Sequence, residues 1–132
     1  MRYAPHAATR QERMEQSRRD RAVAPVLRAR FPTLEQLRIE LKFEAATPSA
    51  PPPQSHVLYP PAHAFFKYPC PSWDCDGQFD LSQAVAAAMT HTTHRAEGAF
   101  ECGGSRVFDR GSRRPCLLRL TYQVTAILQQ KK

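Results

Sequence analysis

The chain has 132 residues, a net charge of +7 and a pI near 9.7, with 42% hydrophobic residues, twelve prolines and four cysteines. That length suits one domain whose modest core profits from a staple. No stretch approaches the ~18 apolar residues of a membrane span, and Met1 to Asp20 holds no apolar run that would make a secretory leader. The expected compartment is a reducing cytoplasm, where grouped cysteines are more often metal ligands than disulfides.

The charge is uneven. Residues 1–45 carry ten basic and six acidic side chains, residues 46–100 two and four, and residues 101–132 seven and two. Excess positive charge at both ends favours polyanionic partners such as nucleic acid or acidic protein surfaces; solubility alone is the plainer explanation.

Residues 7–24 are rich in helix formers, and Glu15 lies four before Arg19, a favourable spacing on a helix. Met14 is the one large apolar residue before Val23, so no apolar stripe docks this helix and it is expected to fray. A short second helix follows Pro25 and runs to about Arg30. Residues 1–30 thus read as a basic helical segment and residues 31–132 as the folded domain. From Leu37 to Glu44 apolar and charged residues alternate, the pattern of a strand with one solvent face. A proline-rich loop is expected over residues 45–61, interrupted by a brief extended piece at His56–Tyr59.

The second main strand is expected at Ala64–Tyr68, delivering Cys70 at its end. Asp80 and Gln83 have capping-box spacing ahead of an alanine-rich helix whose apolar face is Leu81, Val85, Ala88 and Met89. A third strand is expected at Ala99–Cys102, then a basic loop, then a long alternating strand from Leu118 to Ala126. The fold expected is α+β: a small antiparallel sheet of about four strands in ββαββ order, with one packed helix and the N-terminal helical segment.

Cys70 and Cys75 are separated by four residues, Cys102 and Cys116 by thirteen. Each pair borders a turn, with Asp76-Gly77 after Cys75 and Gly103-Gly104 after Cys102; glycine would supply a positive φ there. Four thiols in two turns suit one tetrahedral zinc on Cys70, Cys75, Cys102 and Cys116. The alternatives are buried free thiols, an iron–sulfur cluster, or disulfides such as Cys70–Cys75 with Cys102–Cys116. His91 and His94 form a rival ligand pair with Cys70 and Cys75. Trp73 is expected as a lid on the centre, or else as an exposed stacking platform.

These cysteine turns, Tyr68-Pro69-Cys70-Pro71 through Cys75-Asp76-Gly77 and Cys102-Gly103-Gly104, resemble zinc-ribbon, zinc-knuckle and treble-clef-like modules. The first turn is also similar to the cysteine half of a two-cysteine, two-histidine finger. The resemblance implies a structural zinc.

Arg106, Arg110, Arg113, Arg114 and Arg119 lie in and beside one hairpin. With Arg18, Arg19 and Arg21 they are the candidate contacts to nucleic-acid phosphates. A protein partner is the alternative, reached through the N-terminal helix and the proline-rich loop. No catalytic triad, cysteine–histidine pair or phosphate-cradling glycine loop is recognisable, and four cysteines would leave a zinc no open position. The expectation is therefore a binding module without a small-molecule substrate.

Overall fold

In the computed structural model, residues 10–45, 50–72, 75–107 and 113–129 are described. The elements are α1 (Arg10–Val23), α2 (Leu27–Arg30), β1 (Leu34–Glu44), β2 (Gln54–Leu58), β3 (Lys67–Pro69), β4 (Gln78–Asp80), α3 (Ser82–Thr90), β5 (Arg95–Glu101), β6 (Ser105–Val107), β7 (Arg113–Pro115) and β8 (Arg119–Leu128). No helix among the described residues is long and apolar enough to cross a membrane.

Alternation decides the sheet. Leu37, Ile39, Leu41 and Phe43 of β1 are buried, while the residues between them are exposed. Leu120, Val124 and Ala126 of β8 stand opposite Phe43, Ile39 and Leu37 on the same face. These two strands form the centre of a four-stranded antiparallel sheet, ordered β2-β1-β8-β5. The buried face is covered by Leu81, Val85 and Ala88 at and in α3, by Leu27 of α2, and by Phe66 and Phe79. Each buried leucine or phenylalanine stabilises the fold by about 1.5–3 kcal/mol.

The other face of the sheet is patterned with charge of both signs. Arg38, Lys42, Arg95 and Arg119 are interleaved with Glu40, Glu44, Glu97 and Glu101. Arg119 stands between Glu44 of β1 and Glu101 of β5. This face has no basic excess.

Several expectations need correction. The second strand of the sheet is Gln54–Leu58, inside the stretch expected to be a proline-rich loop; it pairs with Leu37–Leu41 of β1. Prolines end at Pro53, so every N–H of the following five residues is free to join a ladder. Ala64–Phe66 is not a strand. Its backbone bonds elsewhere, Ala64 N–H to the Pro25 carbonyl (2.7 Å) and the Phe66 carbonyl to Leu81 N–H (2.9 Å). Only Lys67–Pro69 is extended, and it pairs with Gln78–Asp80 in a separate hairpin. Asp80 does not close a capping box with Gln83. It accepts instead from Ser82 N–H (2.9 Å) and Ser82 Oγ (2.5 Å).

Helix α1 buries no residue, as the missing apolar stripe implied. Arg19 donates to Gln16 Oε1 (3.0 Å), and no Glu15–Arg19 ion pair forms among the described residues. The less exposed positions are Arg10, Arg13, Ser17 and Asp20, a polar stripe at helical spacing. Polar contacts therefore seat this helix.

Candidate metal centre

Hairpin β3–β4 carries Cys70 and Cys75 at its tip, and Cys102 and Cys116 flank the base of hairpin β6–β7. The second hairpin continues the β5–β8 pair beyond an interruption of three residues on each strand, Cys102–Gly104 against Cys116–Leu118. Leu117 sits there at φ 57°, a left-handed turn that leaves its side chain exposed. The interruption lets the two cysteines leave the sheet plane toward the first hairpin.

Both turns are built alike. Gly77 N–H donates to Cys75 Sγ (3.3 Å), and Gly104 N–H donates to Cys102 Sγ (3.4 Å). The Gly77 carbonyl accepts from Cys70 N–H, and the Gly104 carbonyl accepts from Cys116 N–H, each at 3.0 Å. A Cys-x-Gly unit thus occurs twice, each followed by the same pair of bonds.

The two units are stitched face to face. Asp76 N–H donates to the Ser105 carbonyl (3.1 Å), and Ser105 N–H donates to Asp76 Oδ1 (2.8 Å). The glycines serve close approach here, since neither Gly77 nor Gly104 adopts the positive φ expected of them. A Cβ on Gly104 would run into the Gly77 backbone, and one on Gly77 into Cys102 Sγ.

The four Sγ atoms lie within 4.8 Å of one another. Cys70 and Cys116 are 3.7 Å apart, Cys75 and Cys102 3.5 Å. Tetrahedral thiolates at a metal–sulfur distance of about 2.3 Å stand about 3.8 Å apart. The cluster therefore has the dimensions of a mononuclear site, and a multi-iron cluster would need to spread the thiolates. The closest approaches, Cys70 to Cys116 and Cys75 to Cys102, run between the two turns. The disulfide pairing considered above, Cys70–Cys75 with Cys102–Cys116, does not match this geometry, and all four cysteines are free.

Crowding splits the thiols. Hydrogen bonding from the Cys102 thiol, with help from Ser72, holds Cys70 down to about 5 against the burial that opposes it. Burial above all pushes Cys75 up to about 12. Cys102 is driven upward too, first by its bond to Cys70 and then by burial. Of these three thiols Cys70 is the one held toward the thiolate, while Cys75 and Cys102 are held protonated. A divalent ion would displace the remaining protons.

Two residues of the surroundings, Ser72 and Arg10, were not singled out by the sequence, and a third, Asp76, was read there as a turn former. Ser72, buried, accepts from Cys75 N–H (3.2 Å) with its carbonyl and from Cys116 Sγ (3.4 Å) with its hydroxyl. Asp76 is the stitch just described. Arg10, at the start of α1, donates from Nη1 to the carbonyls of Cys70, Ser72 (3.3 Å) and Cys75 (3.3 Å). The one sequence signal for any of these was the repeated Cys-x-Gly; an arginine sixty residues away from its acceptors leaves none.

The cleft between α1 and the cysteine turns is lined by Arg10, Arg13, Met14, Ser17, Arg21 and Gln78, among others. Within it Arg13 Nε and Gln78 Oε1 are buried without hydrogen-bond partners. The Arg21 guanidinium lies 4.9 Å from the Phe65 ring centroid.

Replacing Arg10 with methionine keeps the aliphatic stem and removes the donors. Charge-assisted bonds of this kind contribute about 1.5–3 kcal/mol each, and a 14-residue helix is marginal without docking. Trypsin should then cleave within Arg10–Val23 at least ~10-fold faster. Equal cleavage of the two proteins would mean that Arg10 does not hold the helix.

Among the described residues the ligand group holds the four cysteines and neither His91 nor His94. His91 and His94, at the end of α3, bond locally to Thr93 and to the Ala88 carbonyl. Arg18, Arg19 and Arg21 are exposed on α1. Arg106, Arg113 and Arg114 lie in hairpin β6–β7, whose base is the cysteine pair. Arg110 and Trp73 lie outside the described residues. No family model, no curated protein and no solved structure matches this chain.

Proposed function

We propose that the four cysteines hold one structural zinc, and that the clamped module is a non-enzymatic nucleic-acid-binding accessory protein. The observation that carries the first part is the set of four Sγ atoms within 4.8 Å, with two Cys-x-Gly amides directed at sulfur. All-sulfur tetrahedral sites of this kind suit zinc. The site would be of the zinc-ribbon type, two turns clamping one ion. Four thiolates on a divalent ion make a doubly negative centre, and the amides, Arg10 and Arg13 around it offset that charge. Zinc here supplies crosslinking, with all four positions taken by protein.

The nucleic-acid reading is supported by where the positive charge lies. The sheet's open face balances its own charges, whereas the excess resides on α1, α2 and hairpin β6–β7. Arg10 through Arg30 include seven arginines against three acids. In the hairpin, Arg106 stands across from Arg114 in register. Arg106, Arg110, Arg113 and Arg114, with Arg18, Arg19 and Arg21, are the proposed phosphate contacts; Arg119, set between two glutamates, is the weakest member.

Binding of RNA or DNA should fall steeply with salt, as each neutralised phosphate contributes about 0.7–0.9 to the slope of log K against log salt. A filter-binding titration at several salt concentrations checks this. Absent or salt-insensitive binding removes the reading. A partner that survives nuclease treatment and is lost on deleting residues 1–30 would favour the protein-adaptor alternative.

A further inference from the structure

The end of the sheet beside hairpin β6–β7 bears an aromatic pair at the margin of the core, Tyr122 packed partly against it and Phe100 outside it. Phe100 of β5 and Tyr122 of β8 stack with ring centroids 5.3 Å apart and planes 22° apart. They occupy the same face as the core, yet β5 is an edge strand and Phe100 remains 39% exposed. Gly98, opposite Tyr122 in register, makes the arrangement possible: a Cβ there would meet the tyrosine ring at 2.7 Å. The tyrosine therefore lies flat across the edge strand.

The neighbourhood is sorted by charge. On this face β5 contributes only Ala96, Gly98 and Phe100, while Glu97 and Glu101 belong to the opposite face. Six residues beyond Phe100 the chain reaches Arg106, about 20 Å away at full extension. An uncharged aromatic surface thus adjoins an arginine-bearing hairpin, with no carboxylate on the connecting face of β5.

We propose that this face binds single-stranded nucleic acid, with unpaired bases stacking on Phe100 and Tyr122 while exposed Arg114 of the adjoining hairpin holds a neighbouring phosphate. The proposal rests on the nucleic-acid reading above and names its substrate class. Stacking on aromatic rings tolerates any base but requires an unpaired one, since a duplex hides the faces of its bases. A purely electrostatic site would not distinguish the two forms in this way.

The test is fluorescence anisotropy with a labelled oligonucleotide of about 12 nucleotides, single-stranded or annealed to its complement. Phe100→Ala should weaken single-strand binding by about 5- to 100-fold and leave duplex binding and the salt slope unchanged. Phe100→Trp should keep or tighten single-strand binding. Joint replacement of Arg106, Arg110, Arg113 and Arg114 by glutamine should weaken both forms and flatten the slope. Equal single-strand binding by the wild type and Phe100→Ala, together with loss in the arginine variant, would overturn the stacking site and leave the basic surface standing. Absence of wild-type binding to either form would overturn both. Melting temperature and zinc content, measured alongside, identify a variant that has lost its fold, and Phe100→Trp then decides.

Discussion

Cys75→Ser is expected to release the metal and to melt one end of the molecule. Native mass spectrometry should find one zinc on the wild-type chain and none on the variant. Structural zinc in small modules contributes about 10–16 kcal/mol of apparent binding free energy, against a typical net stability of about 5–15 kcal/mol for a whole domain. The loss should not be uniform. Hairpins β3–β4 and β6–β7 have three residues per strand, too short to persist unaided. The sheet keeps its own core, from Leu34 to Phe43 and from Leu120 to Ala126. Hydrogen exchange should therefore show residues 67–80 and 102–118 deprotected, with β1 and β8 retaining protection. The melting temperature should fall by at least ~10 °C. Chelation of the wild type should reproduce the pattern, as should acidification, because thiolates must be deprotonated to hold the ion. A metal-free chain with four free thiols, an unchanged melting temperature and fully protected hairpins would refute the staple.

Gly104→Ala tests the same centre without touching a sulfur. The added methyl would meet the Gly77 backbone, and Asp76 Oδ1 at 2.8 Å. Backbone cannot step aside as a flexible side chain can, so the two cysteine turns must separate. A strain of about 1–3 kcal/mol is the usual result of such overpacking, and the proposed zinc between the turns would experience it directly. Zinc affinity, measured by competition with a chromophoric chelator, should drop by about 5- to 150-fold. Gly103→Ala is the control. Nothing lies within 4 Å of its Cβ position, so affinity and stability should stay within about 0.5 kcal/mol of wild type. If the two alanine variants behave alike, the close approach of the turns does not govern the centre.

How much of this could be read in advance depends on the range of the interaction. The alternation in Leu37–Phe43 and Leu118–Ala126 declared two half-buried strands, because a strand's two faces are a local property of sequence. The alanine-rich helix after Asp80 was legible for the same reason, and so was the absence of an apolar stripe on α1. Pairing was less accessible. Ala64–Tyr68 has as good a strand composition as Gln54–Leu58, and only the contacts of Ala64 to Pro25 and Phe66 to Leu81 divert it from the sheet.

The cysteines follow the same division. Their residue types and the Cys-x-Gly turns pointed to one four-sulfur site, since the amides that serve Cys75 and Cys102 are two residues away. Which sulfurs adjoin which was decided across the fold, where the two turns meet and set Cys70 beside Cys116 and Cys75 beside Cys102. Arg10 and Asp76 took their roles from the same meeting. Local chemistry thus determined the strands, the helices and the kind of site. The pairing of strands, the seating of α1 and the closeness of Gly77 to Gly104 came from tertiary structure, because they join residues that short-range preferences never bring together.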